Sequence, residues 1–417
     1  MRFIHTADLH IDSPLRGLSR YEGAPVDRLR SATRQAFENV VAVAIERRVD
    51  FMVIAGDLFD GDWPDMQTGL WTARQFRRLE HENIHVYLLR GNHDAASQME
   101  SHLEWPSNVH CFAEDQPSTF TLEGHQVALH GQGFADRETR EDLVAGYPPA
   151  VPEVFNIGVL HTSLSGGSDH DVYAPTTENA LLARGYEYWA LGHIHARRVV
   201  HESPWIVYPG NTQGRHIRET GEKGCYLVEV RDREVTNLEF LASDTIRWHY
   251  VEIDCGENDG VPELLNAVRS QLSACRGEAN GRYSAVRVVL RGRCRAHREL
   301  STVAARSQLF AQVCDVANEL DEEIWIESLK IYTGPAVNLE QLRASPGLLG
   351  QLLKEARETA DDEDELNRLA RGFAKLEERA GGELEATGIN LHDPATIRRW
   401  LEVAEMLVAG QLVETEA

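Results

Sequence analysis

The sequence of 417 residues lacks closely spaced cysteines and lacks any long apolar run. Its 6 cysteines stand far apart without a CxxC pair, which argues against a zinc knuckle or a redox motif and favours a reducing compartment. No apolar run approaches the roughly 20 residues that a bilayer-spanning helix needs. The first ten residues carry charge and histidine, unlike a secretory leader. We therefore expect an unprocessed cytoplasmic protein without a membrane segment.

Positive charge is also scarce. The chain has 42 Lys and Arg against 66 Asp and Glu, and its formal net charge is -24. A chain with this charge repels nucleic acid and anionic membranes at long range, so any contact with nucleic acid must be local or assisted. The length corresponds to about three domains of roughly 150 residues and excludes a disulfide-stabilised miniprotein.

The first 240 or so residues alternate short apolar runs with amphipathic segments, which is typical of an α/β layered domain. Apolar residues at helical spacing predict a helix over 27–48 that packs on the sheet. Five short runs rich in Val, Ile, Leu or aromatic residues are strand candidates, at 2–7, 51–55, 85–90, 156–160 and 188–191.

The pattern changes near residue 246. Strand and helix candidates then alternate up to about residue 331, which predicts a small α+β domain. Residues 341–417 show no strand candidate, carry an acidic run at 361–365 and place Leu366, Leu369, Phe373 and Leu376 at helical spacing. The expected domains are thus 1–245, 246–340 and 341–417, the last being an acidic helical region.

Each of the five strand candidates ends in side chains that bind metal ions. The carboxyl ends of strands in an open α/β sheet line a common crevice, so these side chains should converge. Carboxylate, amide and imidazole donors together suit Mn, Fe or Zn better than Ca or Mg. The candidates, in chain order, are Asp8, His10, Asp57, Asn92, His93, His161, His193 and His195.

Seven of these side chains can hold two ions. A workable allocation, with Asp57 shared, gives one ion Asp8, His10 and His195 and the other ion Asn92, His161 and His193. Two ions about 3.5 to 4 Å apart can generate an attacking hydroxide and neutralise the charge that builds on a phosphoryl group. The pattern therefore predicts a dinuclear phosphoesterase.

His93 and three glycines complete this prediction. His93 follows a ligand without having to be one, so it could stabilise the pentacoordinate phosphorus or protonate the leaving oxygen, with Asp94 or another carboxylate orienting its ring. Gly56, Gly91 and Gly192 stand just before ligands, where a residue without Cβ lets the backbone pass close to the ions.

The order of these short motifs is itself informative. The blocks DxH, GDxxD, GNHD, a lone His and GHxH follow one another at 8–10, 56–60, 91–94, 161 and 192–195. This order resembles the calcineurin-like metallophosphoesterases and implies a four-layer α/β/β/α sandwich. The text IHTADLHIDSP, GDLFDGDW and YPGNTQGRH is similar to the SbcD-type DNA repair exonucleases, and GRHIRETGEKGCYLVEV is similar to their YhaO branch.

The resemblance implies a manganese-dependent DNA nuclease domain followed by a capping domain. It also implies that the C-terminal helical region binds an SbcC-like (YhaN-like) coiled-coil ATPase, and that helices within 65–104 form a homodimer. The sequence departs from the family at Asp60, where close SbcD-type relatives often carry a histidine. This departure bears on the contact to the substrate phosphate and hence on substrate preference.

Several alternatives stay open. Asp12 and Asp60 are equally well explained as support for a metal ligand or as loop caps. The arginines of the capping domain are candidate phosphate contacts or part of a solvated edge strand, at Arg287, Arg291, Arg293, Arg295 and Arg298. The enzyme could instead cleave a small phosphodiester or phosphomonoester. A scaffolding subunit of an ATPase complex is the other alternative, although a scaffold has no need of a complete ligand set.

Overall fold

The computed structural model describes residues 1–13, 24–61, 66–96, 103–136, 139, 141–164, 174–256, 260–297, 299–335, 339–373, 375–376, 390–391 and 393–416. The chain divides into two compact units. The first unit comprises Met1–Tyr250, Cys275–Val286 and Glu323–Glu327. The second unit comprises Val251–Ala274, Arg287–Glu322 and Ser328–Ala417.

The first sheet of the first unit has six strands. They are β1 (Arg2–Thr6), β2 (Phe51–Ala55), β3 (His85–Leu89), β4 (Val109–Cys111), β11 (Gly224–Arg231) and β12 (Glu234–Ala242). Their order across the sheet is β12-β11-β1-β2-β3-β4. The four strands from β1 to β4 run parallel, while β11 pairs antiparallel with β1 and with β12. The carboxyl ends of β1, β2 and β3 therefore meet at one edge.

The second sheet also has six strands. They are β5 (Ser118–Leu122), β6 (Val127–Gly131), β7 (Phe155–His161), β8 (Tyr188–Gly192), β9 (Arg198–Glu202) and β10 (Trp205–Tyr208). Their order is β5-β6-β7-β8-β10-β9, in which β6, β7, β8 and β10 are parallel and the two edge strands are antiparallel.

Alternating side chains give each sheet two apolar faces. On the first sheet, Ile4 and Met52 pack against α1 (Val26–Glu46) and α2 (Gln67–His81). Their chain neighbours Phe3 and Val53 point the other way, into a cluster shared with the second sheet. The far face of the second sheet packs on the segment around α3 (Glu178–Leu182). The predicted four-layer α/β/β/α fold is confirmed.

One polar side chain lies in the apolar layer between the sheets. His5 of β1 is fully buried, and its two ring nitrogens contact the Tyr188 hydroxyl at 2.9 Å and the Leu191 carbonyl at 3.2 Å. Burial lowers the pKa of His5 to about 3. A neutral imidazole therefore ties β1 to β8, the two strands that lead into Asp8 and His193.

A third sheet and, among the described residues, six helices follow. The sheet has the order β13-β14-β15, with β13 (Ile246–Asp254), β14 (Tyr283–Cys294) and β15 (Ile324–Pro335). The helices are α4 (Val261–Ala279), α5 (Val303–Leu320), α6 (Leu339–Arg343), α7 (Leu348–Asp361), α8 (Glu363–Gly372) and α9 (Pro394–Glu416). These elements agree with the predicted additional sheet and helical C-terminal region.

The C-terminal helices pack on one another within the second unit. Leu366 of α8 is fully buried, and the ring of Phe373 lies edge-on to Trp400 of α9 with centroids 5.6 Å apart. Arg343 and Glu405 form an ion pair at 2.8 Å. Within the part of the chain that the structure describes, no helix is long and apolar enough to cross a membrane.

Candidate metal centre

Backbone hydrogen bonds hold the segments after β1 and β2 side by side at the sheet edge. The N–H of Asp8 donates to Gly56 O at 3.0 Å, and the N–H of His10 donates to Asp57 O at 3.1 Å. The N–H of His193, beyond β8 in the second sheet, donates to both carboxylate oxygens of Asp8 at 3.1 Å. The predicted ligands from both sheets thus reach a common edge.

The backbone at this edge is unusual. Four predicted ligands have positive φ: Asp8 at 52°, His10 at 45°, Asp57 at 53° and His193 at 99°. Asp and His tolerate the left-handed region better than most residues, yet such conformations persist only where the surroundings enforce them. Parallel strands that turn sharply at their ends therefore direct these side chains into the crevice.

Two of the glycines allow this close packing. A Cβ on Gly192 would lie 1.9 Å from Ala55 O, and a Cβ on Gly91 would lie 2.3 Å from an oxygen of Asp57. Both distances are far below van der Waals contact, so neither position accepts a side chain without displacing a strand end. The structure thus supports the role that the sequence suggested for them.

The first group of donors contains Asp8, His10 and His195. The Nε2 atoms of His10 and His195 lie 3.1 Å apart, and His195 Nε2 lies 3.9 Å from Asp8 Oδ1. Ligand atoms of these residues lie close enough together to hold one ion. This is the first of the two predicted ligand sets.

The second group surrounds His161. Its Nε2 lies 3.0 Å from Asn92 Oδ1 and 3.4 Å from Asp57 Oδ2, and its ring lies edge-on to that of His193 with centroids 5.2 Å apart. Asp57 Oδ2 is also 3.8 Å from His10 Nε2 in the first group. Asp57 therefore lies between the two groups, as a shared ligand would.

The hydrogen bonding of the imidazoles shows that the donor set suits cations. His161 Nδ1 donates to the backbone carbonyl of Ala55 at 2.9 Å, so a neutral His161 presents a lone pair at Nε2. That lone pair faces the oxygens of Asn92 and Asp57, which also carry lone pairs. Acceptors that converge in this way need a proton or a metal ion between them. A borderline divalent metal ion fits this mixed set of nitrogen and oxygen donors.

Electrostatics support the same interpretation. Burial alone would raise the pKa of the Asp57 carboxyl, but the imidazoles of His161 and His10 outweigh burial and hold this pKa far below its usual range. Burial also opposes a charged His161, yet Asp57 raises the pKa of His161 to about 9. The cluster therefore carries negative charge in a buried place and favours a cation at His161 Nε2.

His93 lies beside the two groups and is oriented by Asp60. Its Nδ1 is 2.7 Å from Asp60 Oδ1, and 33% of its side chain is exposed to solvent. Burial lowers the pKa of His93, but the hydrogen bond to Asp60 together with the negative charges of Asp57 and Asp60 outweighs burial and raises it. Ser13 Oγ donates to the other oxygen of Asp60 at 2.5 Å. His93 is thus held in a fixed orientation and is accessible to solvent, as the predicted proton donor would need to be.

Asp94, suggested above as the residue that orients His93, has another role. Its carboxylate accepts the backbone N–H groups of Leu58, Phe59 and Gly91 at 3.1, 2.8 and 3.1 Å. It therefore fixes the turns after β2 and β3. The orienting residue is Asp60, which the sequence left undecided between supporting a ligand and capping a loop.

Asp12, the other undecided acid, pairs away from the donor groups. Its carboxylate accepts from both ends of the Arg34 guanidinium, with Nε at 2.7 Å, and from Thr68 Oγ1 at 2.5 Å. These contacts fix the segment after His10 to the two helices of the first layer. Asp12 is a structural residue.

Three residues near the centre were not predicted as site residues. Glu219 accepts from His195 Nδ1 at 2.7 Å, and the ammonium of Lys223 donates to the carbonyl of His195 at 2.9 Å. Arg215 lies between Asp60 and Glu219. A cluster of charged residues after the YPGN block, in RHIRETGEK, is the signal that could have drawn attention to them.

One arginine of β14 has partners within its own unit. Arg291 pairs with Glu252 at 2.9 Å and stacks on the ring of Tyr332 at 5.5 Å. Its charge is thus partly neutralised. Arg298 lies outside the described residues. Whether these arginines contact a phosphate backbone stays a prediction.

Comparisons with known proteins agree with the geometry. Sequence models of two families match the chain: calcineurin-like phosphoesterase over residues 1–197, and the middle domain of metallophosphoesterase YhaO over residues 248–334. The chain is 38% identical over 296 residues to the metallophosphoesterase YhaO of Bacillus subtilis. The match covers 70% of this chain and 72% of that protein.

More distant relatives were also found. The chain is 25% identical over 283 residues to a DNA double-strand break repair protein Mre11 of Methanopyrus kandleri, covering 63% of this chain and only 59% of that protein. A dimetal phosphatase from Danio rerio is 12% identical with a TM-score of 0.33, covering 55% of this chain and 92% of that one. A TM-score this low carries no argument about the site.

Proposed function

Because this chain belongs to the calcineurin-like metallophosphoesterases with a YhaO middle domain, we propose that it is a dinuclear metal-dependent DNA phosphodiesterase. The observation that carries the proposal is the buried, converging set of carboxylate, amide and imidazole donors with the His93–Asp60 pair beside it. An arrangement of this kind suits the hydrolysis of a phosphate ester.

The site residues divide into proposed metal ligands and a proposed proton donor. Asp8, His10 and His195 would hold one divalent ion, and Asn92, His161 and His193 the other, with Asp57 between them. When bound, the two ions supply the attacking hydroxide and neutralise charge on the phosphoryl group. We propose manganese as the metal, because the donor set mixes hard oxygens with imidazole nitrogens.

The protein's own chemical step is proton transfer by His93. Asp60 accepts a hydrogen bond from Nδ1–H and fixes the ring, which leaves Nε2 of the protonated ring to donate its proton to the leaving oxygen. The raised pKa of His93 keeps this proton available near neutral pH. A general acid in this position typically contributes a factor of about 10² to 10⁴ in rate.

The DNA substrate and the partner are supported by the relatives and by charge. The Mre11 proteins are named for DNA double-strand break repair, which supports a role in repair or end processing here. A net charge of -24 works against binding free DNA at long range. We therefore propose that an SbcC-like coiled-coil ATPase docks on residues 341–417 and delivers the DNA end.

The test compares three substrates in the presence of manganese. An end-labelled duplex and the matching single strand report on nuclease activity, and bis(p-nitrophenyl) phosphate reports on phosphodiester hydrolysis. The wild type should cleave all of them, faster on DNA when the ATPase is added. His93→Ala should lose DNA cleavage, whereas His81→Ala, an exposed histidine at the end of α2, should not.

Each outcome decides a different part of the proposal. Hydrolysis of the model diester without DNA cleavage, even with the ATPase added, would point to a small phosphodiester and overturn the DNA assignment. Failure on every substrate with manganese bound would contradict hydrolysis itself and favour a scaffolding role.

A further inference from the structure

The loop between β10 and β11 supports His195 through two charged side chains. Glu219 is buried, and its carboxylate accepts from His195 Nδ1 at 2.7 Å and from Asn211 Nδ2 at 3.0 Å. Lys223 donates from Nζ to the carbonyl oxygen of His195 at 2.9 Å. The ring and the backbone of this metal-ligand candidate are thus both held by one loop.

Arg215, from the same loop, contacts the supports of both His195 and His93. Its Nη2 donates to Glu219 Oε1 at 3.2 Å, and its backbone N–H donates to Glu219 Oε2 at 2.7 Å. Its Nη1 lies 3.6 Å from Asp60 Oδ2, and only 14% of its side chain is exposed. One guanidinium therefore contacts the two carboxylates that orient the two histidines.

We propose that Arg215 is a positioning residue for phosphate-ester hydrolysis, which sets the proton donor His93 through Asp60 and the metal ligand His195 through Glu219. This inference rests on the proposed hydrolytic function but not on the identity of the substrate. The planar, always charged guanidinium can contact two carboxylates at once in a fixed geometry, whereas a lysine ammonium is a single point charge. Asn211 and Ser13 still hold Glu219 and Asp60 when the Arg215 side chain is removed, but each carboxylate loses one contact and the two histidines lose the one side chain that links their supports.

The experiment is a double-mutant cycle on diphenyl phosphate with manganese, because a phenolate leaving group gains from the proton of His93 whereas p-nitrophenolate leaves without one. Arg215→Gln should lower kcat by roughly 10- to 100-fold, as is typical when a residue that supports a metal ligand is lost. KM should change little. In a His93→Ala background the same substitution should lower kcat much less, because residues that act as a unit are not additive.

Controls separate positioning from folding. Arg218→Gln removes the same charge from an exposed position of the same loop and should leave kcat unchanged. Arg215→Lys keeps the charge and the fold but should recover only part of the activity. Titration calorimetry with Mn²⁺ alone should show weaker binding to Arg215→Gln, by roughly tenfold, because His195 is less well oriented.

Three results would overturn the inference. A fully additive loss in the His93→Ala background together with a raised KM would make Arg215 a direct contact to the substrate phosphate. Unchanged manganese affinity together with unchanged kcat would leave the residue without a role at this site. Arg215→Lys variants as active as wild type would show that charge alone suffices. A wild type that binds manganese but hydrolyses no phosphate ester would instead contradict the proposed function.

Discussion

The metal-binding edge and the C-terminal helices hold their side chains in different ways. At the edge, Asp57 is fixed by His161 on one side and by the backbone of His93 on the other. On the helices, Leu348 and Leu369 leave 81% and 37% of their surface exposed. The first region completes its contacts within one chain, whereas the second leaves apolar side chains in solvent. The geometry of the first region therefore suits the proposed hydrolysis of a phosphate ester. The exposed leucines of the second region support the proposal of a protein partner.

The largest effect should come from removing the shared acid. Asp57→Ala should abolish hydrolysis of bis(p-nitrophenyl) phosphate, because the side chain lies between both donor groups. Asp361→Ala, which removes an exposed acid from α7, should keep wild-type turnover in the same assay. An equal loss of turnover in the two variants would show that the metal-binding edge and the C-terminal helices do not differ in their effect on hydrolysis.

A smaller effect is expected at Asp60. Asp60→Asn keeps the shape of the side chain but loses the charge that holds His93, so kcat should fall by roughly 10- to 100-fold. Asp12→Asn is a matched control, because Asp12 contacts Arg34 and Thr68 instead. It should lower the melting temperature and leave kcat near wild type. A large loss of kcat in Asp12→Asn, together with a wild-type kcat in Asp60→Asn, would contradict both assignments. Asp12 would then support His93, and Asp60 would be the structural residue.

The interior of the first unit should respond to acid through His5. Unfolded histidine titrates near 6.5 and His5 near 3, so between these values the unfolded state binds more protons. Stability contributed by the neutral ring is therefore complete above pH 6.5 and is lost as the pH falls below it. From pH 7 to pH 5 the loss should be about 2 kcal/mol.

Urea unfolding in EDTA at both pH values measures this loss. His5→Gln should show a smaller decrease in the free energy of unfolding than the wild type. An equal decrease would mean that His5 does not titrate as its burial requires.

The smallest effects belong to the exposed leucines. Leu348→Ser and Leu352→Ser on α7 should each change the free energy of unfolding by no more than about 0.5 kcal/mol, because both side chains are already in solvent. Turnover of bis(p-nitrophenyl) phosphate should not change. Loss of ATPase binding in pull-down experiments would support the proposed partner, and a loss of turnover would contradict the separation of the two regions.

The sequence predicts the strands that carry the site because buried parallel strands are short apolar runs. The predicted runs at 51–55 and 188–191 correspond closely to β2 and β8. The candidate ligands could be selected because each follows such a run within a few residues. Edge strands such as β12 mix exposed and half-buried residues, so their pattern gives a weaker signal.

The supporting residues could not be predicted in the same way. Asp60 and Asp94 both stand near a ligand in sequence, and only the fold shows which one meets His93. Glu219 and Arg215 lie on an irregular loop whose path has no periodicity. Their partners depend on side-chain geometry across long sequence separations, which composition and spacing do not encode.

The hydrogen bond between Asp8 and the N–H of His193 has a consequence for when the site can form during synthesis. It joins residues 185 positions apart and brings a ligand from each sheet to the same edge. During synthesis, the first sheet can begin to form while His193, His195 and Glu219 are still inside the ribosome. We therefore expect nascent chains that end before His193 to bind Mn²⁺ weakly, and metal uptake to be a late step of maturation.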